Sequence, residues 1–534
     1  MSLISLQFAV FVITAMFVYY LFPKQYRWTV LLAASYAYYL IICNKYIIYM
    51  LITTVSTWLG ARLIESNYQK QSAVLKAHKG EWGRNEKKSY KKKITGQCRI
   101  LMIAVLLLNF GILGFLKYSG FAADTAASIA GLFGAHIQFP KLHFLLPLGI
   151  SFYTFQTMGY LIDVYQEQVP AEKNLARFAL FVSFFPQIIQ GPIAMYDDLA
   201  HQLYEPHAFQ FRNLKNGAAL ILWGMFKKMV IADRAVAVIN LVTADSAAFS
   251  GTFILGAALL YALQLYADFS GGIDIVRGIG EFFGIEMAEN FKRPYFSKSL
   301  TEYWHRWHMT LGNWVRKYVF YPLSISKTFL NMGRWMQKHC GKHFAKIVPT
   351  SLASLITFLI IGIWHGANGK YVAFGLWNGV VIMLIELCKP FSEKTCTALR
   401  VNREGTLYQA AAMVWTFFLV LVGYYFDIAR NFADAITMMR RSVTDLHLSD
   451  IHRLECLKPA GLDRYDYLMI ILGAIVLFLV SVIQERNQES IREMLWQKKE
   501  AVQWAVFLLG MIIILIFGYY GPHMTPADFV YMQF

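Results

Sequence analysis

The feature that most constrains this chain is a succession of apolar runs close to the length that crosses a lipid bilayer. The hydrocarbon core is about 30 Å thick, so a crossing helix needs about 20 mostly apolar residues. Such runs recur at 3–22, 28–43, 46–64, 100–116, 144–162, 178–189, 217–242, 252–266, 351–364, 371–387, 408–426, 467–483 and 502–520. Several are short or carry Gly and Pro, so re-entrant or half-spanning pieces are expected among them. The fold class expected is all-α: a polytopic membrane protein of about 11–13 apolar helices, with re-entrant or interfacial helices between crossings.

Composition agrees. Hydrophobic residues make up 57% of the 534 and charged residues 16%, where soluble domains carry about 25% charged residues. The net charge of +17 lies mainly between the apolar runs. That assigns it to membrane orientation and anionic lipid rather than to nucleic acid. Cys43, Cys98, Cys340, Cys388, Cys396 and Cys456 form no close pairs, so neither a zinc framework nor a disulfide framework is read from them. The first run lacks a basic leader and a small-residue cleavage site, and reads as a span rather than a signal peptide.

Orientation follows from Lys and Arg. The loop expected at 65–99 holds ten of them against three acidic residues, which places it in the cytoplasm. The N-terminus is then outside, and so is the C-terminus. Both ends outside require an even number of crossings, so at least one candidate run does not cross. No internal repeat suggests an inverted-repeat transporter.

Chemistry concentrates between Tyr266 and Trp377. Asp268 and Asp274, with Ser270 and two glycines, follow a long apolar segment. Charge at membrane depth lines a cavity or finds a partner, although a helix-end cap at a break explains these residues equally well. Asn290-Phe-Lys-Arg-Pro-Tyr295 reads as a turn ahead of a helix capped by Ser299 or Thr301. In that helix Trp304, Trp307, His308, Leu311, Trp314 and Val315 fall on one face by their three- and four-residue steps. On pattern alone this is an interfacial anchoring helix. His365 ends an almost wholly apolar run and is followed by Gly366-Ala-Asn368. An ionisable group there is a candidate for function, and a neutral imidazole near pH 7 can take a proton from a hydroxyl. A lone interhelical histidine with a satisfied hydrogen bond accounts for it as well. His305, His308 and His365 lack an acidic fourth ligand, so no metal site is read.

Taken together, Asp268-Phe-Ser-Gly, Asn290-Phe-Lys-Arg-Pro-Tyr, Trp304-His-Arg-Trp-His308 and Trp364-His365-Gly-Ala-Asn resemble the membrane-bound O-acyltransferase family. The bacterial branch, which serves alginate O-acetylation and teichoic acid D-alanyl transfer, is the nearest in look. Ser151-Phe-Tyr-Thr-Phe-Gln156, Tyr160-Leu-Ile-Asp163, Phe184-Phe-Pro-Gln187, Gly191-Pro192-Ile193 and Phe226-Lys-Lys228 with Ile231-Ala-Asp233 match in order, so the likeness covers at least 35–377. One departure is Arg316-Lys317-Tyr318, where the family usually reads Arg-Asp-Tyr; any acidic role at that position is in doubt.

The resemblance implies a ring of tilted helices around a central tunnel. It divides the chain into N-terminal helices at 1–116, a catalytic core at 117–390, and C-terminal helices with an aromatic tail at 391–534. It makes His365 the catalytic histidine and His308 its partner. Asp268, Ser270, Trp304, Trp307, Trp364 and Asn368 are then candidate lining residues. No bound cofactor is expected; the donor is an acyl thioester, acetyl-CoA or an acyl carrier protein. Expected partners are membrane lipid and an extracytoplasmic, esterase-like transfer protein. Acetyl is the first expectation for the acyl group, D-alanyl the second. The terminal Phe529-Val-Tyr531-Met-Gln-Phe534 resembles tails of alginate-type relatives, which implies Tyr531 as a first acyl acceptor. A transporter or flippase, and a non-catalytic scaffold for a polysaccharide synthase, are the competing classes.

Overall fold

The computed structural model describes residues 2–134, 146–447, 449–450, 454–520, 527 and 529, apart from the Ile189 and Leu454 side chains. Every regular element among these residues is a helix; the one β-bridge joins Phe291 to Trp307. Eight segments are long and apolar enough to cross a membrane. The first of them, Lys24–Ala77, consists of the helices Arg27–Cys43 and Ile47–Ala77 joined by the single turn Asn44–Tyr46. Only 11% of the apolar window in Glu500–Phe517 is buried by protein. Lipid must solvate the rest, because such a surface in water would drive aggregation. The protein is a multi-pass membrane protein.

Some expected spans become shorter pieces. The run at 144–162 yields the helix Ile150–Tyr165, of 16 residues. The run at 178–189 is split between Leu175–Ser183 and Phe185–Gln190, with Pro186 in the first turn of the second helix. Pro lacks the N–H that would continue the preceding helix. The basic segment 65–99 is not a loop. It is helical on both sides of a short turn, as the end of Ile47–Ala77 and the start of Arg84–Leu132. Lys, Arg and Glu are good helix formers, and the Glu86 carboxylate caps the second helix by accepting from the Gly83 N–H at 2.7 Å.

Two compact units divide the chain. The first comprises Met1–Lys215 and Ile279–Ala288. The helix Ile150–Tyr165 runs through its core almost fully buried. Buried amides tie the broken helices beside it: Gln156 donates to the Phe181 carbonyl at 2.8 Å, and Gln187 to the Pro192 carbonyl at 2.7 Å. Apolar surroundings make each such bond costly to lose.

The second unit, Asn216–Gly278 with Glu289–Phe534, carries both candidate histidines. The expected break at Ser270-Gly-Gly272 does not occur, because Gly251–Phe282 is one continuous helix through Asp268 and Asp274. The glycines serve packing instead. A Cβ on Gly224 would lie 2.5 Å from the Gly271 carbonyl oxygen, and a Cβ on Gly278 2.5 Å from that of Gly217. Glycines seven residues apart on both helices let the backbones touch, the small-residue mode of helix association in membranes. The hairpin of Lys342–His365 and Gly369–Ala398 uses the same device: a Cβ on Gly375 would meet the Phe358 carbonyl oxygen at 2.5 Å.

Candidate active site

The helix expected across Trp304 to Val315 is interrupted. Leu300–Arg306, capped by the Ser299 hydroxyl, ends before Trp307, and Met309–Val315 starts after His308. The single apolar face read across Trp304 to Val315 therefore does not exist. His308 stands between the two helices at φ 46°, ψ 53°, a left-handed conformation that is uncommon for a residue with a Cβ. Tertiary pairing holds it there. The Lys292 N–H donates to the Arg306 carbonyl at 2.9 Å, and the Met309 N–H to the Asn290 carbonyl at 3.0 Å. Backbone groups that a continuous helix would have used internally are thus satisfied by the preceding turn. Strain of this sort persists only where neighbours over-determine it, and it clusters at functional sites.

The Asn290 side chain completes the arrangement. Its Oδ1 accepts from the Thr310 N–H at 3.0 Å and from the Thr310 hydroxyl at 2.9 Å, and lies 3.2 Å from His308 Nδ1. An oxygen already accepting from a backbone N–H faces a ring nitrogen that must donate. The Nδ1–H tautomer follows, and Nε2 becomes the acceptor of the neutral ring. His308 is buried, outside the eight candidate spans. Burial, and then the neighbouring charge of His365, hold its pKa well below the usual histidine value.

His365 is the last residue of Lys342–His365, at the turn of the hairpin. Its ring stacks parallel to Tyr371 at 6.3 Å and meets Phe374 edge-on at 5.3 Å. Trp364 lies between the two histidines, 6.0 Å from the His308 ring and 5.2 Å from that of His365, centroid to centroid. His365 opens on a cavity whose walls include Phe269, Trp304, Trp307 and Tyr424. Trp304 is fixed by its indole N–H, which donates to Asn378 Oδ1 at 3.0 Å. Phe269 reaches the other histidine, edge-on to the His308 ring at 4.9 Å.

The structure thus gathers His365, Trp304 and Trp307 at one cavity, with His308 and Trp364 beside it. Asp268, Ser270 and Asn368 have other partners. The Asp268 carboxylate accepts from Lys228 Nζ at 2.6 Å, and the Ser270 hydroxyl from Lys227 Nζ at 2.8 Å. Asn368 caps Gly369–Ala398 by accepting from the Lys370 N–H at 3.0 Å. Tyr531 lies outside the described residues. Among the described residues no cluster of His, Cys, Asp and Glu is suited to a metal ion.

Sequence reasoning missed most of the wall, including five polar residues: Tyr261, Tyr303, Asn378, Tyr424 and Asp427. Tyr303 and Tyr424 share a hydroxyl–hydroxyl bond of 2.8 Å, and Asn378 and Asp427 also line the cavity. Asp427 carried a usable signal, a carboxylate near the end of the apolar run at 408–426. The tyrosines and Asn378 carried none, since Tyr is common at membrane interfaces and Asn378 sits within a hydrophobic run.

Comparison with known proteins places these residues in context. The model of MBOAT, the membrane-bound O-acyltransferase family, matches residues 167–426. The probable alginate O-acetylase of Azotobacter vinelandii is 32% identical over 440 residues, 82% of this chain and 77% of that protein. The peptidoglycan O-acetyltransferase of Helicobacter pylori is 30% identical over 373 residues, 65% of each chain. The teichoic acid D-alanyltransferase of Bacillus subtilis is 28% identical over 361 residues, 63% of this chain and 85% of that protein.

Proposed function

This chain belongs to the membrane-bound O-acyltransferase family, and on that premise we propose that it moves an acetyl group from a cytoplasmic thioester through the membrane toward the hydroxyl of an extracytoplasmic polysaccharide or cell-wall polymer. The observation that carries the reading is the placing of His365 at the aromatic cavity, with His308 across Trp364. In this reading His365 takes the proton from an attacking hydroxyl, the oxygen bonds to the thioester carbonyl carbon, and the C–S bond breaks. The proton then passes from His365 to the departing thiolate. Positioned base catalysis supplies about 10²–10⁴-fold in rate, and holding both reactants in a mostly apolar cavity supplies much of the remainder.

For His308, orienting a substrate group suits its hydrogen bonding better than stabilising an oxyanion. With Nδ1–H turned to Asn290, the neutral ring presents an acceptor, which fits a hydroxyl or amide N–H rather than a negative oxygen. The donor in this reading is acetyl-CoA or an acyl carrier protein. An extracytoplasmic, esterase-like partner delivers the group to the polymer.

Tyr531 is proposed as the first acceptor, carrying the group as an ester between two easier transfers. Support comes from the described residues just before it. Phe529 lies on Lys228, Lys228 holds Asp268, and Phe269 meets His308. Tyr531 is two residues past Phe529, a reach of about 7 Å between Cα atoms.

The test is His365→Ala in cells making the polymer, with membrane accumulation checked by blotting. Loss of polymer acylation is expected, and near-normal acylation overturns the assignment. Tyr531→Phe removes only a hydroxyl; wild-type acylation in that variant would send the polymer hydroxyl directly to His365. Release of acetate rather than D-alanine on mild alkaline treatment of the polymer separates the two acyl groups.

A further inference from the structure

The helix Phe211–Met225 passes into a π-helical stretch, Phe226–Ala232, that the mechanism above does not use. It presents two consecutive buried lysines. Lys227 pairs with Asp274 at 2.7 Å. Lys228 lies between two carboxylates, Asp268 at 2.6 Å and Asp233 at 2.9 Å. A further partner is the backbone carbonyl of Ala527, 2.9 Å from Lys228 Nζ. Asp268 and the Ala527 carbonyl accept two of the three N–H donors of the ammonium, and Asp233 adds its charge at 2.9 Å. The Phe529 ring closes the arrangement, its centroid 4.4 Å from Lys228 Nζ, well within cation–π range.

A second anchor lies upstream. The Tyr519 N–H donates to the Met229 carbonyl of the same π stretch at 2.9 Å. Arg234, paired with Asp466 at 2.8 Å, donates to the Phe517 carbonyl at 2.7 Å and lies over the Tyr519 ring. The tail is therefore held twice by one short region, at 517–519 and at Ala527 and Phe529.

We propose that Lys228, braced by Asp233 and Asp268, is a clamp that seats the C-terminal segment through the Ala527 backbone and the Phe529 ring and so sets where the last residues of the chain are presented. Its catalytic consequence rests on the Tyr531 reading; the clamp itself does not. Lys228, Asp233 and Phe529 are positioning residues, because they act through the tail they hold. A buried lysine between two aspartates is costly to assemble without a further partner, and the tail supplies that partner.

The experiment uses the full-length protein in detergent and follows carboxypeptidase trimming of its C-terminus by intact mass. In the wild type, trimming stalls before position 529. Phe529→Ala removes the ring and leaves the buried ion pairs intact, so the thermal midpoint is expected to hold while trimming past 529 accelerates by about tenfold or more. Phe529→Trp, which restores a cation–π face, is expected to return trimming to the wild-type rate. Lys228→Met is expected to release the tail similarly; should it fail to fold, the two Phe529 variants decide alone. Trimming of Phe529→Ala at the wild-type rate overturns the clamp. Accelerated trimming with undiminished polymer acylation in cells keeps the clamp and removes Tyr531 as acceptor.

Discussion

Asn290 is where the geometry makes its sharpest demand. Its side chain is fully buried and its Oδ1 serves three donors: the Thr310 N–H, the Thr310 hydroxyl and His308 Nδ1. Asn290→Ala strands all three in an apolar setting. At about 1 kcal/mol for each lost bond, the loss is about 3 kcal/mol, and more where a donor finds no water. The left-handed His308 then loses one of the contacts that hold it. A fall in thermal midpoint of several degrees and a loss of acylation are expected together. Asn290→Asp separates charge from support. It keeps an oxygen for Thr310, so the fold is expected to survive, but it sets a carboxylate beside the imidazole. His308 is ordinarily held below the usual histidine pKa by burial first and the His365 charge second. An adjacent carboxylate favours imidazolium and raises a pKa by about 1–3 units. Activity that needs the neutral ring is then lost below this raised value, so the acid limb of the pH–activity profile moves to higher pH. The assays are fluorescence-detected thermal unfolding in detergent and acyl transfer measured from about pH 5 to 9. An Asn290→Ala protein as stable and active as wild type, or an Asn290→Asp profile with an unmoved acid limb, would refute the reasoning.

Gly224→Ala puts a methyl 2.5 Å from the Gly271 carbonyl oxygen, and forcing the helices apart is expected to cost about 1–3 kcal/mol. Gly111→Ala, with nothing within 4 Å of the new Cβ, is the control and is expected to be neutral or stabilising by under about 1 kcal/mol in thermal unfolding. Trp304→Phe removes the indole N–H that bonds Asn378 at 3.0 Å; a loss of about 1–2 kcal/mol in thermal unfolding is expected, since a buried amide oxygen is left without its donor. A cysteine in place of Lys91, in the basic helical turn region, is expected to resist an impermeant thiol reagent in intact cells. Ready labelling would invert the orientation drawn from charge.

Several features were legible before any coordinates. Apolar runs of bilayer length set the fold class, because lipid rewards unbroken apolar helices and every backbone group must be satisfied within them. His365 was visible as an ionisable group closing such a run, and the structure puts it at a helix end beside a cavity. Other features were not legible. The regular spacing from Trp304 to Val315 suits one helix, yet the chain breaks it at His308 because residues 290–292 supply the hydrogen bonds in its place. Periodicity reports only local preference, and a partner 18 residues away in sequence overrides it.

The division of labour follows from the range of the forces involved. Hydrophobicity and charge act on segments, so the sequence alone determined a multi-pass, helical, membrane-embedded chain. Which polar residues meet depends on contacts between distant segments. Only the tertiary structure paired Asp268 with Lys228 rather than with a substrate, set Asn368 to cap a helix, and brought Asp427 and Asn378 into the cavity wall. A buried polar group takes whichever partner the packed helices bring within about 3 Å, and that choice is made by the fold as a whole.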